Sequence, residues 1–178
     1  VLGNEQVTWY YVVSLIGKTL VLLIAPINTI VISYLTKRKE LLTRSQFGKA
    51  VLAGSGVSFV FFLACQVGTP LFVWLFYRNL YDSVRGLVTV VNLAQILGLF
   101  SAFLFILVLT FTDEKWQLWI QLAHFAVLLV TSVLAARAYG MIGFAWASLG
   151  ANSLRVAAVI ILGLAKAGKD KGDSNADR

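Results

Sequence analysis

Five long apolar segments alternate with short polar ones along the chain. A helix needs about 20 apolar residues to cross the hydrocarbon core of a bilayer, and each segment is long enough. We therefore expect five spans, from about Trp9 to Leu35, Ala50 to Tyr77, Gly86 to Phe111, Trp116 to Ala136 and Met141 to Leu164. The predicted fold is an all-α, polytopic transmembrane helical bundle over residues 1–164, followed by a polar cytoplasmic tail over residues 165–178.

Composition supports this interpretation. Of the 178 residues, 59% are hydrophobic and 13% are charged, and the mean hydropathy is +0.83. Soluble domains are about a quarter charged, so a soluble protein of this size is excluded. Cys65 is the single cysteine, which rules out an intrachain disulfide. The chain begins with Val1 and shows no signal peptide, so we expect it to be a piece of a longer protein.

The basic residues predict how the chain is oriented. Arg78, Arg85 and Arg137 fall on one side of the predicted spans, and ten basic residues fall on the other. Those ten are Lys37, Arg38, Lys39, Arg44, Lys49, Lys115, Lys166, Lys169, Lys171 and Arg178. The positive-inside rule then places loop 36–49 and the tail in the cytoplasm, in a multi-pass protein of the cell (cytoplasmic) membrane.

Loop 36–49 also carries Leu41, Leu42 and Phe47 among its basic residues. We expect this loop to lie on the anionic surface of the inner leaflet. Membrane lipid is therefore the first predicted partner. No basic, aromatic-bearing soluble domain is present, so no nucleic acid is expected.

Three basic side chains lie inside predicted spans: Lys18, His124 and Arg155. A central Lys or Arg costs about 2.5–3.5 kcal/mol to insert, and the predicted spans hold no Asp or Glu. The compensating partner is then backbone carbonyls, water, a missing part of the protein or an anionic ligand. The alternatives stay open: Lys18 can snorkel to the interface, and His124 can be a packing residue.

Polar side chains share faces on several predicted helices when projected at about 100° per residue. They suggest a hydrated interior, with Lys18, Asn28, Gln66, Gln121, His124, Asn152 and Arg155 as candidate substrate-binding residues. The same side chains could instead join helices by hydrogen bonds. Pro26 and Pro70 are predicted helix kinks. Gly143, Ala147 and Ala151 form a small-residue stripe that predicts close helix packing.

No enzyme is expected from the sequence. It contains no paired acids, no HExxH, no phosphate-binding loop and no nucleophile motif. A set of metal ligands is also missing. We therefore predict neither a cofactor nor a metal.

Three stretches resemble the C-terminal half of polysaccharide flippases. They are "LVLLIAPINTIVISYL", "TPLFVWLFYRNLY" and "ARAYGMIGFAWASLGANSLR". These flippases are the O-antigen and lipid-linked oligosaccharide exporters of the multidrug/oligosaccharidyl-lipid/polysaccharide (MOP) superfamily, and the resemblance covers about Thr8 to Gly163. It implies five helices of one lobe of a two-lobe, alternating-access transporter. The implied partners are the missing N-terminal lobe and a lipid-linked pyrophosphate glycan, whose head group would meet Lys18 and Arg155.

Other functions remain open at this stage. A multidrug or cation antiporter of the same superfamily would normally need an acidic residue in the spans. A membrane-embedded enzyme would need a His/Asp constellation or a long loop. A non-catalytic membrane subunit of a glycan assembly complex would not need the polar stripes.

Overall fold

The chain folds into a bundle of α-helices. A computed structural model describes residues 3–37 and 42–167. The helices are α1 (Asn4–Lys37), α2 (Arg44–Phe76), α3 (Tyr81–Leu109) and α4 (Glu114–Lys166), with a 3-10 turn at Arg78–Leu80. Every regular element in the described residues is helical, which confirms the predicted all-α class.

Helix α2 begins earlier than predicted because Thr43 caps it. The Thr43 hydroxyl accepts from the amide of Gln46 (3.3 Å), and the Gln46 side chain accepts from the amide of Thr43 (3.0 Å). This reciprocal pair satisfies two amides that a helix start leaves unpaired. The helix therefore carries Phe47, which is 0% exposed. The expectation that Phe47 rests on the membrane surface is wrong.

Helix α4 contains 53 residues and is broken at Gly140. Gly140 has φ 63° and ψ −144°, a conformation essentially restricted to glycine. The break divides α4 into a first limb, 114–139, and a second limb, 141–166. Each limb is about 39 Å long at the helical rise per residue.

The two limbs of α4 lie side by side. The ammonium of Lys166 is 5.8 Å from the centre of the Trp116 ring, so the far ends of the limbs meet. Near the break, a Cβ on Gly143 would overlap the carbonyl oxygen of Ala135. Helix α4 is therefore an antiparallel helical hairpin.

Helix α3 occupies the middle of the bundle and contacts α1, α2 and α4. It is apolar around most of its circumference, and such a helix is expected to be buried. One core cluster joins α3 to α1 and α2 through Val12, Val73 and Val91. A second cluster joins α3 to α2 and α4 through Phe47, Leu104 and Val159.

The bundle has two chemically different ends. One end holds the start of α2 together with the start and the end of α4. The end of α4 lies close to the start of α2, because a Cβ on Gly163 would overlap the Phe47 ring. The described basic residues there are Arg44, Lys49, Lys115 and Lys166, and we call this the basic end. The opposite end holds the start of α1 and the turn of α4, where a Cβ on Gly140 would lie 3.3 Å from Gln6.

Three helices in the described part of the chain are long and apolar enough to cross a membrane. They are Arg44–Phe76, Arg78–Leu109 and Lys115–Lys166. The predicted five separate spans are not supported, because α1 is not among these three and the predicted fourth and fifth spans form the single bent helix α4. Large apolar side chains lie exposed on α2 and on the first limb, including Leu52, Phe59, Val67, Leu118, Trp119 and Phe125. This much exposed apolar surface suits contact with lipid.

Candidate functional site

A cavity of about 720 Å³ lies between α3 and α4. It extends from Lys115 at the basic end to Arg155 on the second limb. Its lining residues are Ala102, Phe105, Ile106, Leu109, Lys115, Gln117, Leu118, Gln121 and Arg155. One wall, from α3, is entirely apolar, while the α4 wall carries the polar groups. We call this space the α3–α4 cavity.

Arg155 is the innermost charge of the cavity. Its guanidinium carbon lies 5.0 Å from the centre of the Phe105 ring, where a cation is attracted by the ring face. Its Nε is buried and has no hydrogen-bond partner among the described residues. A half-buried guanidinium whose buried Nε has no partner among the described residues is suited to an anionic ligand.

The other polar groups of the cavity reinforce this charge. Lys115 supplies a second cation, while Gln117 and Gln121 supply amides. The Gln117 amide donates weakly to the Thr112 hydroxyl, at 3.4 Å. Among the described side chains, no acidic residue lines the cavity. The two cations that line it create a positive potential that favours an anion.

His124 lies behind Arg155 in a separate cleft. This cleft of about 140 Å³ runs between the limbs of α4, and both His124 and Arg155 line it. The imidazole approaches the backbone carbonyl of Ala151, and its Nδ1 is buried without a partner among the described residues. The structure thus brings two predicted site residues together.

Two other candidates join helices through hydrogen bonds. The Gln66 amide donates to the Thr89 hydroxyl at 2.9 Å and accepts from Asn92 at 3.1 Å. The Asn152 amide donates to the carbonyl of Ala94 at 2.8 Å. A role for Gln66 and Asn152 in substrate binding remains a prediction.

Lys18 does not reach the α3–α4 cavity. It is exposed on α1, and its ammonium lies 4.8 Å from the centre of the Tyr11 ring. It is not among the residues that line the cavity at Arg155. The side chain of Asn28 lies outside the described part of the structure.

The predicted kinks and packing residues fall in helices. Pro26 lies within α1 and Pro70 within α2, both of which continue past the proline. Bending at either proline stays a prediction. Gly143 and Ala151 are buried and Ala147 is half-buried, with Gly143 at the close approach between the limbs.

Asn92 ties α3 to α2, a role that the sequence alone does not assign to this polar position of the third predicted span. Asn92 is 0% exposed, and its amide accepts from Thr69 (3.2 Å) and donates to the Cys65 carbonyl (3.1 Å) and to Gln66 (3.1 Å). Gln95 makes a similar tie to α1, donating to the Ser14 carbonyl at 3.3 Å. The available signal was an amide in the middle of an uncharged apolar run.

Within residues 3–37 and 42–167, no three His, Cys, Asp or Glu side chains come close enough to hold a metal ion. The chain matches no protein-family model, no curated protein and no solved structure. The function is therefore inferred from the geometry of the site and from the resemblance to MOP-superfamily flippases.

Proposed function

We propose that this chain is part of an integral membrane transporter that flips or exports a lipid-linked oligosaccharide or polysaccharide precursor. It would act at the cytoplasmic membrane by alternating access, together with an N-terminal lobe of the same protein. The resemblance to MOP-superfamily flippases supplies the substrate class. The structural observation that supports this proposal is the α3–α4 cavity with Arg155 and Lys115 in its lining.

The chemistry of the α3–α4 cavity suits an anionic amphiphile. Its volume of about 720 Å³ falls within the range of about 300–1,000 Å³ common for ligand pockets. Arg155 and Lys115 would meet a pyrophosphate, since charge-assisted hydrogen bonds are the stronger kind. Gln117 and Gln121 would contact sugar hydroxyls, and the apolar α3 wall would accommodate lipid.

The proposal includes five membrane crossings. The helices α1, α2 and α3 would each cross once, and the hairpin α4 would cross twice with Gly140 at its turn. Each limb is about 39 Å long, which exceeds the hydrocarbon core of about 30 Å. The basic end would face the cytoplasm. The tail beyond Ala167, which lies outside the described residues, would then be cytoplasmic.

A cation or multidrug antiporter is less well supported by the charges. The acidic residues whose side chains are described are Glu5, Asp82 and Asp113. Glu5 and Asp82 lie in the first turns of α1 and α3, and Asp113 lies in the turn between α3 and α4, two residues before Lys115. Among the described side chains no carboxylate lines the α3–α4 cavity, so a cation would find no carboxylate partner there.

Complementation tests the proposal. Cells that lack their own O-antigen flippase would receive the full-length parent gene, as wild type, Arg155→Ala, Lys18→Ala or Arg137→Ala. We expect surface polysaccharide with the wild type and with Arg137→Ala, whose arginine is exposed near the turn of α4. Arg155→Ala should abolish export at equal protein abundance. Lys18→Ala reports whether α1 contributes to substrate binding.

Two outcomes would contradict the proposal. Full export by well-expressed Arg155→Ala would show that the cavity charge is not used. Absence of rescue by the wild type in hosts that cover several glycan types, with the protein correctly inserted, would reject the flippase assignment itself.

A further inference from the structure

A second polar groove lies at the opposite end of the bundle, between α2 and α3. Its volume is about 210 Å³. The residues on which its chemistry depends are Gln66, Pro70, Val73, Tyr81, Arg85 and Thr89. We call it the α2–α3 groove. It shares no residue with the α3–α4 cavity.

Hydrogen-bond donors dominate this groove. The Thr89 hydroxyl oxygen accepts from the Gln66 amide at 2.9 Å, so its own hydrogen is directed to another acceptor. Tyr81 adds a second hydroxyl, and Arg85 adds a guanidinium that carries only donors. Within the described part of the chain, no acidic residue lines the groove. Three donor groups with one positive charge match a phosphate better than a sugar or a cation.

The inner wall of the groove is held in place by the core. Gln66 accepts from Asn92 at 3.1 Å, and Asn92 is fully buried between α2 and α3. The Gln66 and Thr89 side chains are therefore fixed before any ligand arrives. Such preorganisation lowers the entropic cost of binding.

An apolar stripe on α2 runs beside the groove. Leu63, Val67, Leu71 and Trp74 recur at helical spacing and are 49%, 71%, 59% and 48% exposed. Residues at this spacing lie on one helix face. Each of the last three directly follows a groove residue in the sequence, namely Gln66, Pro70 or Val73. The stripe leads from the opposite end toward the middle of the bundle, as an acyl chain does from its head group.

We propose that the α2–α3 groove holds a single phospholipid from the leaflet at the opposite end. Its phosphate sits between Arg85 and Tyr81, its ester oxygens accept from Thr89, and its acyl chains lie along the α2 stripe. Charge complementarity selects the phosphate, and the stripe selects a lipid over a soluble phosphate. This site is independent of the proposed transport function.

Native mass spectrometry of the detergent-purified protein tests the site. The probes are phosphatidylglycerol and a diacylglycerol with the same two acyl chains but no phosphate. We expect phosphatidylglycerol adducts to survive and diacylglycerol adducts to be lost. Arg85→Gln should weaken phosphatidylglycerol binding by about tenfold, the equivalent of one charge-assisted hydrogen bond. Arg137→Gln is the matched control, because it removes an exposed arginine at the same end but outside the groove.

The hydroxyl of Thr89 provides a second, independent comparison. Thr89→Val should weaken binding and Thr89→Ser should retain it, while circular dichroism confirms unchanged helix content for every variant. Equal losses in Arg85→Gln and Arg137→Gln would overturn the site and leave general attraction between basic residues and anionic lipid. Equal retention of diacylglycerol and phosphatidylglycerol would overturn the role of the phosphate.

Discussion

The hairpin of α4 depends on the absence of a side chain at Gly143. A Cβ there would overlap the backbone carbonyl of Ala135 and lie 2.9 Å from the Cβ of Tyr139. A backbone carbonyl cannot rotate away, so Gly143→Ala must push the limbs apart. Overpacking of this kind costs about 1–3 kcal/mol. The substitution also gains about 0.8–1.0 kcal/mol of helix propensity, which offsets part of that cost.

Gly150 on the same limb provides the control, because a Cβ there meets nothing within 4 Å. Gly150→Ala should gain the propensity without the overlap, so the two variants should differ by about 1–3 kcal/mol in the free energy of unfolding. The measurement is reversible unfolding in mixed micelles, followed by far-UV circular dichroism. If Gly143→Ala and Gly150→Ala have the same stability, the close approach of the two limbs is refuted.

Two further substitutions test the interior and the turn by the same assay. Asn92→Ala removes three hydrogen bonds to α2. At roughly 0.6 kcal/mol per interhelical bond in a membrane, the free energy of unfolding should fall by about 2 kcal/mol. Thr131→Ala, whose hydroxyl donates only within its own helix, should have little effect, and equal losses would show that the Asn92 bonds add nothing. Gly140→Ala should lower the free energy of unfolding by about 1–3 kcal/mol, because φ 63° with ψ −144° is a conformation that residues with a Cβ rarely adopt. An unchanged stability would contradict this conformation at the turn of α4.

The helical content could be predicted from the sequence because it depends on local composition. Long uncharged runs without strand alternation favour helices, and all of the predicted segments are helical. The position of each helix in the bundle could not be predicted in the same way. The apolar segments that form α2 and α3 have similar hydropathy, so hydropathy does not distinguish the buried helix α3 from the exposed helix α2. The predicted start of the second helix, at about Ala50, was wrong, because the capping box at Thr43 begins α2 at Arg44, within a polar segment whose composition resembles a loop.

The candidate site was predicted in part. Arg155 and Gln121, two of the predicted site residues, line the α3–α4 cavity, and His124 and Arg155 line the cleft between the limbs of α4. From the sequence, Lys115 contributes only to the predicted orientation of the chain, yet it lines the same cavity. Lys18 was expected at the site but is exposed on α1. Helical projection shows which side chains of one helix share a face, but it does not show which face a neighbouring helix covers.

Whether the polar side chains inside this bundle have a packing or a ligand role depends on whether their donors are matched. Asn92 uses both of its amide atoms on α2, so a structural role accounts for it completely. Arg155 is different, because its buried Nε has no partner among the described residues and its head group lines the α3–α4 cavity. A buried donor left unmatched costs about 1–3 kcal/mol or more, and an aromatic contact with Phe105 offsets only part of that. Under the transport proposal an anion in the cavity would recover the remaining cost, which is why Arg155 is the residue on which that proposal depends.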